Sequence, residues 1–206
     1  MNVIERLEAL HQFGIDLPSA TIFLAGEIDG NLSTALRIKY CMIKDYYKSD
    51  KEALHTLNIV INSFGGDANA IASVLDFYDE LAKDGVIVNI QAEGICMSAA
   101  TFIVGGATGI RKANKRTRFM VHEMQIEGVG GTHTQTKQFQ LELNRMQKEC
   151  YDMYADFSFK NRRVAGETIS AEEFEKCADL WEKLCVKETY FGCEEALKKG
   201  LIDEII

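Results

Sequence analysis

The run Gly94-Ile-Cys-Met-Ser-Ala-Ala-Thr-Phe102 decides how this chain is read. A β-rich segment, Val86-Ile-Val-Asn-Ile-Gln91, ends just before it, and a small-residue apolar run, Ala99-Ala-Thr-Phe-Ile-Val-Gly-Gly106, follows. A serine between a strand end and a small-residue helix start is a recurrent place for a nucleophile. The tight turn presents the hydroxyl, and the first helical N–H groups point at whatever it attacks. The spacing is not that of the G-x-S-x-G elbow. The plainer alternative for Ser98 is an N-cap that holds a buried helix.

Two further strand ends carry chemistry. Asn62-Ser-Phe-Gly-Gly66 follows the apolar run Leu57–Ile61 and precedes a helix, and Arg118-Phe-Met-Val-His-Glu-Met124 sets a histidine at the end of a third apolar run. Taken singly, Gly65-Gly66 reads as a turn and His122 as a core histidine. Taken in order, they supply an oxyanion donor, a nucleophile and a base. With these residues the chain resembles the ClpP family, the proteolytic subunit of the Clp protease. That family carries a strand-Asn-Ser-Pro-Gly-Gly turn, a Gly-x-x-x-Ser turn and a Met-Ile-His segment in this order. The likeness runs from Thr21-Ile-Phe-Leu-Ala-Gly-Glu-Ile28 to Glu194-Glu-Ala-Leu-Lys-Lys-Gly-Leu-Ile-Asp203.

The resemblance implies an α/β fold of the ClpP/crotonase type, layered βαβ repeats with a protruding strand-helix handle. It implies a single peptidase domain over residues 1–206, with an N-terminal segment at 1–20 and the handle at about 125–160. Ser98 is then the nucleophile and His122 the base, with the N–H groups of Gly66 and Ala99 as oxyanion donors. An extended peptide would pair along two edges, one at Gly65 and Asp67, the other at Gly130 and Gly131. The third triad member departs from the pattern. The family's catalytic aspartate falls at Leu184, and the nearby carboxylates are Asp179, Glu182 and Glu188. Asp179 is the expected orienting acid, because an inserted turn after it leaves it near the family's position. Phe64 stands for the usual proline and Ala99 for the usual methionine.

Composition narrows the class. A chain of 206 residues at 47% hydrophobic can bury one good core. A net charge of −8 argues against nucleic acid or an anionic membrane as the main partner. The basic cluster Arg111–Arg118 reads as a solvated hairpin. Six cysteines form no C-x-x-C pair, and Cys96 and Cys150 read as small buried hydrophobes. No apolar run reaches the ~20 residues of a membrane span, and a charged amphipathic start is not a signal peptide, so a cytoplasmic location is expected. No metal-ligand spacing occurs among the histidines, and no cofactor is expected. No G-x-x-x-x-G-K-[ST] occurs, so ATP use would belong to a partner, an AAA+ unfoldase.

Patterning predicts the elements. A strand covers Thr21–Ala25, with Gly26–Gly30 as its turn, and a helix covers Ser33–Tyr47 with Leu36, Tyr40, Ile43 and Tyr47 on one face. Lys48–His55 reads as a polar loop. Leu57–Ile61 reads as a strand covered on both faces, followed by a helix over Asp67–Lys83 with Ile71, Val74, Leu75, Tyr78 and Leu81 as its stripe. Gly128-Val-Gly-Gly131 reads as flexible. Then Phe139, Leu143, Met146, Cys150, Met153 and Phe157 recur at spacings of 4 and 3, a narrow seam on a long helix. Either that seam lies on its own core, or it packs on another subunit, as the family's ring-joining handle does. Ser170 is a candidate N-cap for a helix carrying Phe174, Cys177, Leu180, Trp181 and Leu184.

Three functions fit. The first is a serine endopeptidase acting on unfolded polypeptides inside a homo-oligomer of stacked rings. The second is an inactive ring subunit, favoured by Leu184 and opposed by Ser98 and His122. The third is an acyl-CoA enzyme of the crotonase group, which shares the fold and the paired backbone donors.

Overall fold

A computed structural model describes residues 3–49, 53–126, 128 and 130–206. In chain order the elements are α1 Val3–Phe13, β1 Ile15–Asp16, β2 Thr21–Ile28, α2 Leu32–Ser49, β3 Thr56–Gly66, α3 Asn69–Lys83 and β4 Ile87–Met97. There follow α4 Ala99–Gly105, β5 Arg111–Ala113, β6 Arg118–Val121, α5 His133–Val164, α6 Ala171–Val186, β7 Thr189–Gly192, α7 Cys193–Lys198 and β8 Glu204–Ile205. Contacts divide the chain into two compact units, Met1–Phe119 with Phe191–Ile206, and Met120–Tyr190. Positions 50–52 of the expected polar loop and Val129 of the expected flexible run lie outside the described residues.

The first unit is built on a sheet in the order β1-β2-β3-β4-β5-β8. All pairs from β2 to β8 are parallel, and only β1 is antiparallel to β2. Helices between consecutive parallel strands are what βαβ connection requires, and α2, α3 and α4 pack on this sheet. The α/β class with layered βαβ repeats read from the sequence is the observed one. The stripes Leu36, Tyr40, Ile43 and Ile71, Val74, Tyr78, Leu81 are buried. Arg37 ties α2 to α3 by pairing with Glu80 and lying over the Phe77 ring at 4.8 Å.

Three expectations are corrected. β3 is not covered equally on both faces: Leu57, Ile59 and Ile61 are buried while Thr56, Asn58 and Val60 are half-buried. The second face instead carries a row of amides, in which Asn58 donates to the Ser19 carbonyl and accepts from Asn89, and Gln91 donates to Asn114. Gly26–Ile28 is strand rather than turn, because the residues after Ile61 stay extended and pair with it, Glu27 opposite Gly65 and Ile28 opposite Gly66. Lys115, Arg116 and Arg118 of the basic cluster are exposed as expected, but Arg111 is not. β5 finds its partners in β4 and β8, and the Arg111 side chain is 0% exposed.

Arg111 is buried because Asp203 completes it. Its Nη2 donates to Asp203 Oδ1 at 2.5 Å, and its main-chain N–H donates to Oδ2 at 2.8 Å. This pair fixes the chain just before β8 against β5.

The second unit is centred on the antiparallel pair α5 and α6. Thr132 and Gln135 form a reciprocal capping box at the start of α5, and Ser170 Oγ accepts the Glu173 N–H at the start of α6. The Tyr154 and Trp181 rings stack at 4.6 Å, and Trp181 Nε1 donates to Ser158 Oγ at 2.9 Å. The buried face of α6 is Ala178, Trp181 and Cys185, whereas Leu180 is exposed. The predicted stripe was therefore offset, because the indole sets which side of α6 faces α5. In α5 no residue before Cys150 is buried.

Removing Asp203 leaves an uncompensated guanidinium in the core, which typically costs about 3–5 kcal/mol. Asp203→Ala is expected to lower the urea midpoint by that equivalent, with no comparable effect from Glu204→Ala at the exposed Lys112 pair.

Candidate functional site

The ends of β3 and β4 run side by side, and both are irregular. Ala25 pairs with Asn62 and Glu27 with Gly65, so β3 carries one residue more than β2 there. Ile61 pairs with Ala92 and Ser63 with Cys96, so β4 carries two more than β3. The surplus of β4 is folded over the Asn62 side chain, whose Oδ1 accepts the Ile95 N–H at 3.2 Å. The result sets Ser63–Gly66 against Cys96–Ala99.

Ser98 stands at φ 52°, ψ −127° in the N-cap position of α4, and its side chain does not cap the helix. Its carbonyl takes the Thr101 N–H at 2.9 Å and the Thr101 hydroxyl at 2.6 Å. A non-glycine residue in such a conformation costs about 1–3 kcal/mol and persists only where the surroundings impose it. The surroundings here are the seven residues of α4, all buried. The capping alternative is thus set aside, and the backbone has the form of a strand-to-helix nucleophile turn without the flanking glycines.

Gly65, on the neighbouring strand, supplies the missing room. A Cβ placed on it would lie 2.6 Å from Ser98 Cβ and 2.7 Å from the Met97 carbonyl oxygen. One on Gly66 would overlap the Ile28 carbonyl. The Asp67 N–H donates to the Ile28 carbonyl at 2.7 Å, which holds the end of the diglycine segment against β2. Ala99, 2% exposed, opens α4. The structure therefore brings Gly65, Gly66, Ser98 and Ala99 together. Asp67 is exposed, and its Oδ1 accepts from the Asn69 N–H and side-chain amide.

His122 and the remaining expected residues belong to the second unit. His122 follows β6 and is half-buried. The next two residues are held by α5: Tyr151 donates to Glu123 at 3.4 Å, and the Met124 N–H donates to Gln147 Oε1 at 2.7 Å. Burial, reinforced by Glu123, holds the Tyr151 phenol above its usual range. Asp179 is an exposed residue of α6 and lines a cavity of about 430 Å³ with Glu123, Gln147, Tyr151 and Glu182. Thus Asp179 and the residue after His122 share one cavity. Leu184 is half-buried, and Glu188 accepts the Tyr190 hydroxyl at 2.9 Å. Gly130 and Gly131 are exposed just before the α5 cap, Gly131 beside Gln135.

Asn62 and Ser63 shape the site although their residue types alone point to no chemistry. Asn62 holds the folded-over part of β4, and Ser63 is buried at 2% exposure. Their only sequence signal was polarity at the end of an otherwise apolar strand.

Thiol nucleophiles are disfavoured. Burial pushes Cys150 up to about 11 and Cys185 up to about 12, and also raises Cys96. Cys96 and Cys150 are buried as read. No cluster of three or more His, Cys, Asp or Glu fit for a metal ion occurs among the described residues. No helix among them is long and apolar enough to cross a membrane.

A parallel layered α/β sheet with a strained serine at the end of one strand and a diglycine at the end of its neighbour defines the class, a fold of the ClpP/crotonase type. The family model described as Clp protease matches residues 11–206, and the chain belongs to that family.

Two outcomes are expected. Gly65→Ala should cost at least about 2 kcal/mol more than Gly85→Ala in chemical denaturation, since both have positive φ but only Gly65 abuts another chain segment. Burial, with Glu149 beside it, keeps the Cys150 thiol protonated well above pH 8. A disulfide reagent should therefore modify the exposed Cys41 at once, and reach Cys150 and Cys185 only on unfolding or as the pH rises toward 11.

Proposed function

We propose that this member of the Clp protease family is a serine endopeptidase that hydrolyses unfolded polypeptides. The observation that carries the reading is the Ser98 backbone at positive φ, packed against Gly65. Ser98 Oγ attacks the scissile carbonyl. His122 takes its proton and later delivers it to the leaving amine. The N–H groups of Gly66 and Ala99 hold the oxyanion. Asp179 orients the imidazole, a role supported by the cavity it shares with Glu123. The segments at Gly65, Asp67 and at Gly130, Gly131 pair with the peptide main chain, which gives broad specificity.

We further propose that residues 1–206 act as one peptidase domain within a homo-oligomer of stacked rings, fed by an AAA+ unfoldase. The exposed first half of α5, with Phe139 at 43% and Leu141 at 57% exposure, supports a ring-joining handle. A chamber restricts a broadly specific peptidase to chains threaded into it. An inactive ring subunit is the second reading, and it rests on Leu184 at the family's acid position.

A fluorogenic unstructured peptide and a serine-directed phosphonate separate the two. Wild type should turn over the peptide and be labelled at Ser98, whereas Ser98→Ala and His122→Ala should each lose about a thousandfold or more in kcat. Asp179→Asn should lose at least about tenfold if it orients the base. Equal labelling of wild type and Ser98→Ala sinks the peptidase.

A further inference from the structure

We propose that Ser63 is a positioning residue of the reaction, whose hydroxyl sets the peptide plane carrying the Gly66 N–H. The proposal rests on reading Gly66 and Ala99 as the oxyanion donors of a peptidase. Where β3 carries its extra residue against β2, the ladder is interrupted between Ala25 and Glu27. A single hydroxyl spans the gap. Ser63 Oγ donates to the Gly26 carbonyl at 2.6 Å and accepts the Gly65 N–H at 3.1 Å. Both roles are needed at once, and a hydroxyl is among the few side-chain groups that can donate and accept through one atom. The site is buried, Ser63 being 2% exposed, so the partners it leaves are costly to strand.

Its leverage on chemistry follows from what lies on either side. The Gly65 N–H is fixed by Ser63, and the Asp67 N–H is fixed by the Ile28 carbonyl. Between those anchored amides lies the Gly65–Gly66 peptide, bounded by two glycines at φ +102° and +147°. Glycine tolerates many orientations there; the pairing with Glu27 and Ile28 holds the segment from the β2 side, and Ser63 holds its upstream end, so losing the hydroxyl loosens the plane that aims the Gly66 N–H. A donor helps only when held where charge develops. Ser63 touches neither substrate nor reacting atoms, so its effect is on the transition state and passes through Gly66.

The test compares the full chain carrying Ser63→Thr, which keeps the hydroxyl, with Ser63→Val, which has the same shape without it, and Ser63→Ala. Peptide kinetics, thermal unfolding and the rate of phosphonate labelling at Ser98 are measured for each. Ser63→Thr is expected to keep kcat within about fivefold, whereas Ser63→Val and Ser63→Ala lose about tenfold or more in kcat with KM within about twofold, and label more slowly in proportion. A folded Ser63→Val with the kcat of Ser63→Thr overturns the proposal, as does a loss confined to KM. If both hydroxyl-free variants fail to fold while Ser63→Thr folds, the hydroxyl serves stability and the proposal also fails. Wild type that neither cleaves peptide nor labels at Ser98 removes the peptidase reading itself. Active wild type beside unaffected Ser63 variants removes the Ser63 inference alone.

Discussion

Everything in the first unit depends on two chain segments lying closer than side chains permit. Gly65 sits against the Ser98 turn at a separation where any Cβ would strike Ser98 Cβ and the Met97 carbonyl. That approach lets a serine occupy positive φ without glycines beside it in sequence. The room is provided across the sheet, from the neighbouring parallel strand, so it exists only while β3 and β4 keep their register. The breaks in that register, one against β2 and one against β4, are what slide the two ends into apposition. Irregularities of this sort are found next to active sites because they re-aim a side chain.

Strain of about 1–3 kcal/mol at Ser98 needs a rigid support, and α4 supplies it. All its residues from Ala99 to Gly105 are buried, and burying a single Ile or Phe contributes about 1.5–3 kcal/mol. Relaxing Ser98 would move that whole helix. The other side of the sheet is tied differently, by the amides of Asn58, Asn89, Gln91 and Asn114. At the far edge, buried Arg111 and Asp203 fasten β5 to the segment before β8. A buried pair adds little net stability but strongly penalises any arrangement that separates it.

The second unit follows another logic. Its helix pair is locked near one end, by Tyr154, Ser158 and Trp181 and by Arg162 with Glu167 and Glu173. Away from that lock, α5 buries nothing before Cys150. A helix with an apolar seam and no cover over half its length is polar enough to be capped and formed, yet leaves Phe139 and Leu141 in solvent. The same packing brings Asp179 and Glu123 to one cavity, which the offset of five residues between Asp179 and Leu184 could not have revealed.

By itself the sequence determined the class of fold, the order of the main strands and helices, the stripes of α2 and α3, the cap at Ser170 and the placing of Gly65-Gly66 and Ser98 at neighbouring strand ends. Those features are local: hydrophobic period, capping chemistry and the placement of rare residues at strand ends are written in neighbouring positions. Tertiary structure alone decided that Gly26–Ile28 and Asn62–Gly66 are paired strand rather than turns, that Arg111 is buried, that α6 turns Trp181 and not Leu180 toward α5, and that Ser63 bridges two strands. Each of these depends on a partner distant in the chain, and a hydrogen bond or an excluded Cβ has no meaning until that partner is in place.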